Sequence, residues 1–512
     1  MVGTKGLSYV LITSIVSLAA VGLPLPDRLE AQPADEDRPV LSRILDAISS
    51  ERMLADIRIL SGSGFNGRQT GTRDDLASAE FVQKRFANLG NMLNSTPASP
   101  GPSTGDWIQA RPVSFTTIDQ TVSLQFSVKP VHSLTVGSDY LPVLDSPSAD
   151  VSAPVLFIGY GIADPENGLD EYEKVDAREK IVLFLRGKPD GFNRQVSHAD
   201  KVRAARQHGA IGYLTTTGPL LSPYEARRGV TSSPSAFYAQ LSPDEAIPGA
   251  WIDSEVASEI VNGGPAADRE QDRLRLLQQR LNETRTPQSL LTSVSASLKW
   301  RSITDRGMLH NVGWLIKGSA SDPSAPSVLI GAHRDHFGRQ AGLLFPGADD
   351  NASGTAVLLE VARLFASAPF APVQPVLFLS FSGEEQGLLG SREYVANPLV
   401  PLSSTAAMIN IDHAGIGNGR LTVGVTGFGK AVAQQAGQAA SLSQLIDLFG
   451  FFPGGDHVPF KEAGIPTVTV VSGGVHPHFH RPGDRVETLD PAILTAVARY
   501  VATLAWQLAN PR

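Results

Sequence analysis

The 512-residue chain contains no cysteine. That absence excludes disulfides, thiolate metal sites, iron–sulfur clusters, a cysteine nucleophile and cysteine-linked lipid anchors. Any metal must therefore rest on His, Asp and Glu. Charge is also sparse: 18% of residues are charged and the formal net charge is -8. No basic field is on offer to a phosphate backbone, which argues against nucleic acid as a partner. No HExxH occurs, so a helical zincin site is out. After the N-terminal segment no stretch reaches the ~18 continuous apolar residues of a membrane span.

What is present begins with a leader. Lys5 precedes an uncharged stretch from Leu7 to Pro26, and Ala31 is a small residue suited to precede a cut. This pattern predicts a secretory signal over 1–31, with an uncleaved anchor as the rival. After its removal no membrane contact is expected, and the protein should be periplasmic or secreted. The remaining length suggests two or three domains at ~150 residues each.

From residue 310 onward the pattern alternates β and α. SVLIGAH (327–333), PVLFLSFSGEE (375–385), AAMINIDHAG (406–415), LTVGV (421–425) and IPTVTVV (465–471) read as strands. NASGTAVLLEVARLFASA (351–368) and 489–510 read as helices, the first capped by Asn351. Near-continuous apolar strands separated by helices predict an α/β fold with a mostly parallel, doubly wound sheet. Chemistry in such sheets gathers at the carboxyl ends of the strands. The middle, about 129–289, reads as a small β-rich unit. Two helical patterns over 43–90 are expected to pack on the C-terminal sheet, which makes the middle an insertion.

Seven of the 11 histidines fall between 333 and 480. Acidic residues accompany them at strand ends, in GAHRDH, PGADDN, SGEEQG, NID and HFHRPGD. Oxygen and nitrogen donors without sulfur suit zinc, and also manganese or cobalt. Adjacent Glu384 and Glu385 at a strand end point in different directions, so one can coordinate while the other faces water. Two rival motifs fail on context. GPSTG (101–105) puts Ser103 in a Pro/Ser-rich loop rather than a strand–helix elbow. GVTGFGKA (424–431) has Ala431 where a P-loop needs a hydroxyl.

GAHRDH, PGADDNASGTAVLLEVAR, FLSFSGEEQGLLGSREYV, MINIDHAG, DHVPFKEAGIPTV and HFHRPGDRVETLD together resemble the dizinc aminopeptidase family, in the family's order. FNGRQTGTRDDLASAEFV (65–82) resembles its N-terminal helical region. APVLFIGYGI, KIVLFLRG and KVRAARQHGAIGYLTT resemble the protease-associated domain often inserted in such peptidases. The resemblance implies a zinc-exopeptidase fold with peptidase parts at 40–128 and 290–512 and a protease-associated insert at 129–289. It implies two zinc ions per chain and peptide substrates. Asp349 would bridge the ions, His333 and Asp412 would complete one, and Glu385 and His480 the other. Glu384 would be the general base, and Asp335 would orient His333. The implied activity is that of an aminopeptidase. A carboxypeptidase, a glutaminyl-cyclase-like enzyme and a receptor-like binding protein share the fold and remain alternatives. One departure stands out: Phe479 occupies the place where some members carry an oxyanion-stabilising tyrosine, with His478 a candidate substitute.

Overall fold

The structure, a computed structural model, describes residues 38–95, 104–128, 133–221, 231–265, 268, 270–322, 324–451 and 453–511. The expected leader lies outside the described residues, as does Ser103.

The C-terminal strand signals form one eight-stranded sheet. Its order is Thr104–Ile118, Ser302–Ile316, Val376–Phe381, Ser327–His333, Thr405–Asp412, Thr467–Ser472, Leu421–Thr426 and Ile446–Phe449. The four strands from Val376–Phe381 to Thr467–Ser472 run parallel. Every residue of VLFLSF and SVLIGAH is buried. Strands covered on both faces have no wet side, so their sequences are apolar throughout. Ser302–Ile316 meets this block antiparallel on one flank, and Leu421–Thr426 does so on the other. Parallel pairing therefore holds within the central four strands and again between Leu421–Thr426 and Ile446–Phe449 at the edge.

Helices cover both faces. Ser50–Leu60, Arg73–Ser95, Gly354–Ala366, Lys430–Ala439 and Pro491–Ala509 share one core with the sheet. Leu389–Ala396 and His457–Glu462 lie on the opposite face, where Tyr394 and Phe460 join Leu329, Leu377 and Met408. Met53, Ile57 and Phe86 from the N-terminal helices meet Val357, Leu358 and Val361 in the first core. Pro491–Ala509 is long and apolar enough to cross a membrane, but 72% of that stretch is buried inside the protein. Helix Gly354–Ala366 begins three residues later than the sequence suggests, because Asp350 and Asn351 have non-helical backbone angles. Asn351 still caps it: its Oδ1 accepts from the N–H of Gly354 at 2.9 Å.

The middle of the chain forms a second sheet of seven strands, in the order Ser123–Phe126, Leu290–Trp300, Ala149–Phe157, Ile181–Leu185, Gly212–Thr216, Gly249–Ile252 and Tyr140–Pro142. Helices His198–Gln207, Ser254–Asn262 and Arg273–Thr284 belong to the same region, so this lobe is α/β; the first of them matches the helical pattern of HADKVRAARQHGA (198–210). Its limits are also wider than 129–289. The antiparallel pair Thr104–Ile118 and Ser302–Ile316 ends at Ile118 opposite Ser302, and this is where the chain leaves and rejoins the first sheet. Leu290–Trp300 alternates buried and wetter positions, a weaker signal than the apolar runs, and so its membership was not legible.

Candidate metal centre

Four parallel strands deliver the site to one edge. His333 ends Ser327–His333, and Asp412 ends Thr405–Asp412. Glu384 and Glu385 follow Val376–Phe381, and His476 and His480 follow Thr467–Ser472. The turn before helix Gly354–Ala366 adds Asp349 and Asp350.

Asp350, not Asp349, occupies the centre. One oxygen of Asp350 lies 3.5 Å from His333 Nε2, which is also 3.4 Å from Asp412. The other oxygen lies 3.0 Å from His480 Nε2, which is 3.5 Å from Glu385. The resemblance implied a bridge at Asp349, but the carboxylate that stands between His333 and His480 is that of Asp350, and the reason is local. Both Asp349 and Asp350 donate their N–H to the Asp484 carboxylate, at 2.8 and 3.0 Å. That anchor fixes the turn, and the two side chains diverge. Asp349 Oδ1 accepts from the N–H of Gly415 and of Ile416, and its Oδ2 faces His476 at 2.6 Å and His413 at 3.4 Å. Two backbone donors thus hold its Oδ1, and with His413 and His476 it forms a donor group separate from the two that share Asp350.

Asp335 receives the hydroxyl of Thr70 at 2.9 Å and the N–H of Glu384 at 3.2 Å, and it faces His333 Nδ1 at 3.6 Å. It thus stands behind both His333 and the Glu384 turn. Glu385 lies with His336 and Asp350 in one group of facing donor atoms, His336 Nδ1 being 2.6 Å from its Oε1. Glu384 belongs to no such group among the described residues. Buried Arg68 braces the approach, donating to the carbonyls of Pro346 and Gly347 just before Asp349. The sequence pattern gives no role to Asp484 or Arg68, places His336 and His413 near the site without a role, and offers His476 only as a competitor of His480 for the ligand position. All but His476 lie within the motif strings, and His476 lies two residues before HFHRPGD.

Does this cage fit zinc? Donors on one tetrahedral zinc stand roughly 3.3–3.5 Å apart, given bonds of about 2.0–2.2 Å. The spacings of 3.5 and 3.4 Å around His333 and of 3.5 Å between His480 and Glu385 fall there, and the 3.0 Å contact of His480 with Asp350 is shorter. His480 Nδ1 sits 2.9 Å from the carbonyl of Ala236, and burial lowers the pKa of His480. The neutral ring therefore donates from Nδ1, and its Nε2 lone pair points at two carboxylates. Lone pair against carboxylate is repulsive unless a cation lies between them. Asp412 Oδ1 is likewise buried with no hydrogen bond. Burial, and then repulsion from Asp456, Asp412 and Asp350, raise Glu384 well above the usual carboxylate range, while His333 opposes them. Such a surplus of buried negative charge is what a divalent ion neutralises.

Without a cation the crowding predicts a pH dependence. Burial pushes Asp456 up to about 7, Asp484 to about 8, and Glu171 in the other lobe to about 7. His413 rises to about 10, because Asp350, Asp412 and Asp349 outweigh its burial. All four hold a proton more tightly folded than unfolded, so their contribution is lost as pH rises toward these folded values. Buried His198, His336 and His480 have lowered pKa values and act the other way, but only below the ordinary 6.5. Between about pH 6.5 and 8 the lowered histidines no longer oppose the raised groups, which include Glu384, Glu385 and His333. Thermal melts of chelator-treated protein should therefore decline across that window, and zinc should flatten the decline. A melting temperature that climbs instead would contradict this charge balance.

Phe479 stacks on His480 with ring centroids 3.7 Å apart and offers no polar atom. The His478 ring lies over Gly483. No contact among the described residues puts it with the ligand groups.

A central parallel sheet that carries carboxylates and imidazoles to its carboxyl edge defines a fold of the zinc-exopeptidase class. Residues 311–505 match the model of Peptidase family M28. Aminopeptidase YwaD of Bacillus subtilis is 29% identical over 231 residues, which are 43% of this chain and 49% of that one. A probable leucine aminopeptidase of Trichophyton verrucosum is 32% identical over 199 residues, 36% of this chain and 54% of that one. The chain thus spans about half the length of the curated relatives it matches. In fold, the aminopeptidase from Aneurinibacillus sp. strain AM-1 superposes with a TM-score of 0.63 at 22% identity, covering 92% of this chain and 97% of that one.

Proposed function

We propose that this protein is an exported zinc aminopeptidase that removes N-terminal residues from peptides. The observation that carries the reading is Asp350 standing between His333 with Asp412 and His480 with Glu385. Those five residues would hold two zinc ions, with Asp350 shared. Zinc bound there would polarise the scissile carbonyl and acidify water. The rest falls to side chains. Glu384, which stands apart from the ligand groups, accepts the proton of the attacking water on its carboxylate and returns it to the leaving amine nitrogen. Asp335 holds the Glu384 turn and the His333 ring in register. The carboxylate-rich cleft attracts the substrate α-ammonium. With Phe479 in place of a tyrosine, no hydroxyl is available at that position to steady the oxyanion. The inserted lobe is read as a protease-associated domain.

Metal analysis should find two zinc ions per chain, and a chelator should abolish turnover. One zinc would favour a cyclase, and none a binding protein. Acetylating the substrate amine should remove nearly all turnover. Equal rates on blocked peptides, or release of C-terminal residues, would move the reading to a carboxypeptidase. Export rests on the leader sequence, and its mark is a mature N-terminus near residue 32. An intact Met1 on membrane-bound protein would favour the anchor.

A further inference from the structure

His480 is the one proposed ligand whose ring is held by the inserted lobe. The strap 231–240 of that lobe lies across it. The N–H of Ala236 donates to the His480 carbonyl at 2.9 Å, and His480 Nδ1 donates back to the Ala236 carbonyl at 2.9 Å. This reciprocal pair fixes both the backbone and the ring of one residue. The backbone needs it, because His480 has φ +57, a left-handed conformation that a side-chain-bearing residue rarely adopts unaided. The ring also rests edge-on against Phe337, centroids 4.7 Å apart, and Phe337 belongs to the hydrophobic core of the inserted lobe.

The strap is itself pinned at both ends. Arg481 donates to the Ser233 carbonyl at 2.7 Å and to the hydroxyls of Thr231 and Ser235. At the other end the Asp145 carboxylate accepts the N–H of Ala239 and of Gln240, each at 2.7 Å. Asp145 is a residue of the inserted lobe, beside the strand Tyr140–Pro142, and is part of none of the groups that could hold a metal.

We propose that this strap positions His480 and so sets the affinity of the zinc that His480 shares with Glu385 and Asp350, while leaving the zinc of His333 and Asp412 untouched. The proposal rests on the two-zinc reading above. Imidazole ligands commonly donate their second ring nitrogen to a fixed acceptor, and losing that partner typically costs about 10–100-fold in metal affinity. Here the acceptor is a backbone carbonyl, so no single side chain in the sequence betrays it. The inserted lobe, which supplies no ligand atom, becomes part of the metal site.

The test uses the full chain and zinc titrations of Asp145→Ala, Arg481→Ala and the reference His480→Ala. Releasing the strap from either end should weaken one of the two zinc-binding steps by about 10–100-fold and leave the other within about twofold. In the His480→Ala background, where one zinc remains, adding Asp145→Ala should change that zinc's affinity no further, because both changes act on the same ligand. Arg481→Lys keeps a donor and should recover part of the lost affinity. Asp145→Asn, which retains one acceptor, serves if the alanine variant does not fold, with a smaller effect on the same step. Equal weakening of both zinc steps, no weakening of either, or a further loss in the His480→Ala background would overturn the proposal. Wild-type protein holding fewer than two zinc ions would instead defeat the two-zinc reading, and the proposal with it.

Discussion

Glu384→Gln should keep two zinc ions per chain while kcat falls by about 10²–10⁴-fold, the usual cost of losing a general base. Glutamine preserves the shape of the side chain, so the Asp335 contact to the backbone N–H of residue 384 should survive. It removes the acceptor for the water proton, and with it the donor to the leaving amine. The fall can exceed that range, because one group serves both transfers. Glu385→Gln should fail differently. Glu385 faces His480 at 3.5 Å and His336 at 2.6 Å within a ligand group, so a neutral amide there should drop zinc toward one per chain. Added zinc should partly restore its activity. Metal analysis beside kcat for both variants decides the matter. Zinc lost from Glu384→Gln and kept by Glu385→Gln would exchange the two roles, and full activity in both would put the active site elsewhere.

The second large effect is expected at Asp350. Asp350→Ala should bind neither zinc tightly and should lose all measurable turnover, because its two oxygens face His333 on one side and His480 on the other. The residue beside it should behave otherwise. Asp349→Ala leaves the N–H groups of Gly415 and Ile416 without their acceptor. Each buried donor so stranded costs about 1–3 kcal/mol, so the variant should melt earlier. Its zinc content should stay near two. Zinc lost from Asp349→Ala, with Asp350→Ala still loaded, would restore the bridge to Asp349.

Much of the site was legible as donor-rich strings that each follow an apolar run. VLFLSF before GEE and the run ending at His333 could only be buried strands, and a parallel sheet brings their carboxyl ends together. The N-terminal helices were legible from their apolar spacing, and Met53, Ile57 and Phe86 do enter the main core. The insert was legible as a change of texture, but its limits were not. Leu290–Trp300 alternates, and its partner Ser123–Phe126 is only four residues long.

The sequence by itself determined the chemistry on offer. Without cysteine, and with histidines and carboxylates clustered at strand ends, it could build only an oxygen–nitrogen metal cage on an α/β sheet. Tertiary structure decided which oxygen goes where. Asp349 and Asp350 are adjacent and identical in kind, and periodicity assigns no direction inside a turn. The choice falls to Asp484, 134 residues beyond Asp350, whose carboxylate accepts both backbone N–H groups and so makes the two side chains diverge. The hold on His480 is decided in the same way, by a main-chain carbonyl 244 residues earlier in the chain. Every residue carries such a carbonyl, so only folding singles out the one at Ala236.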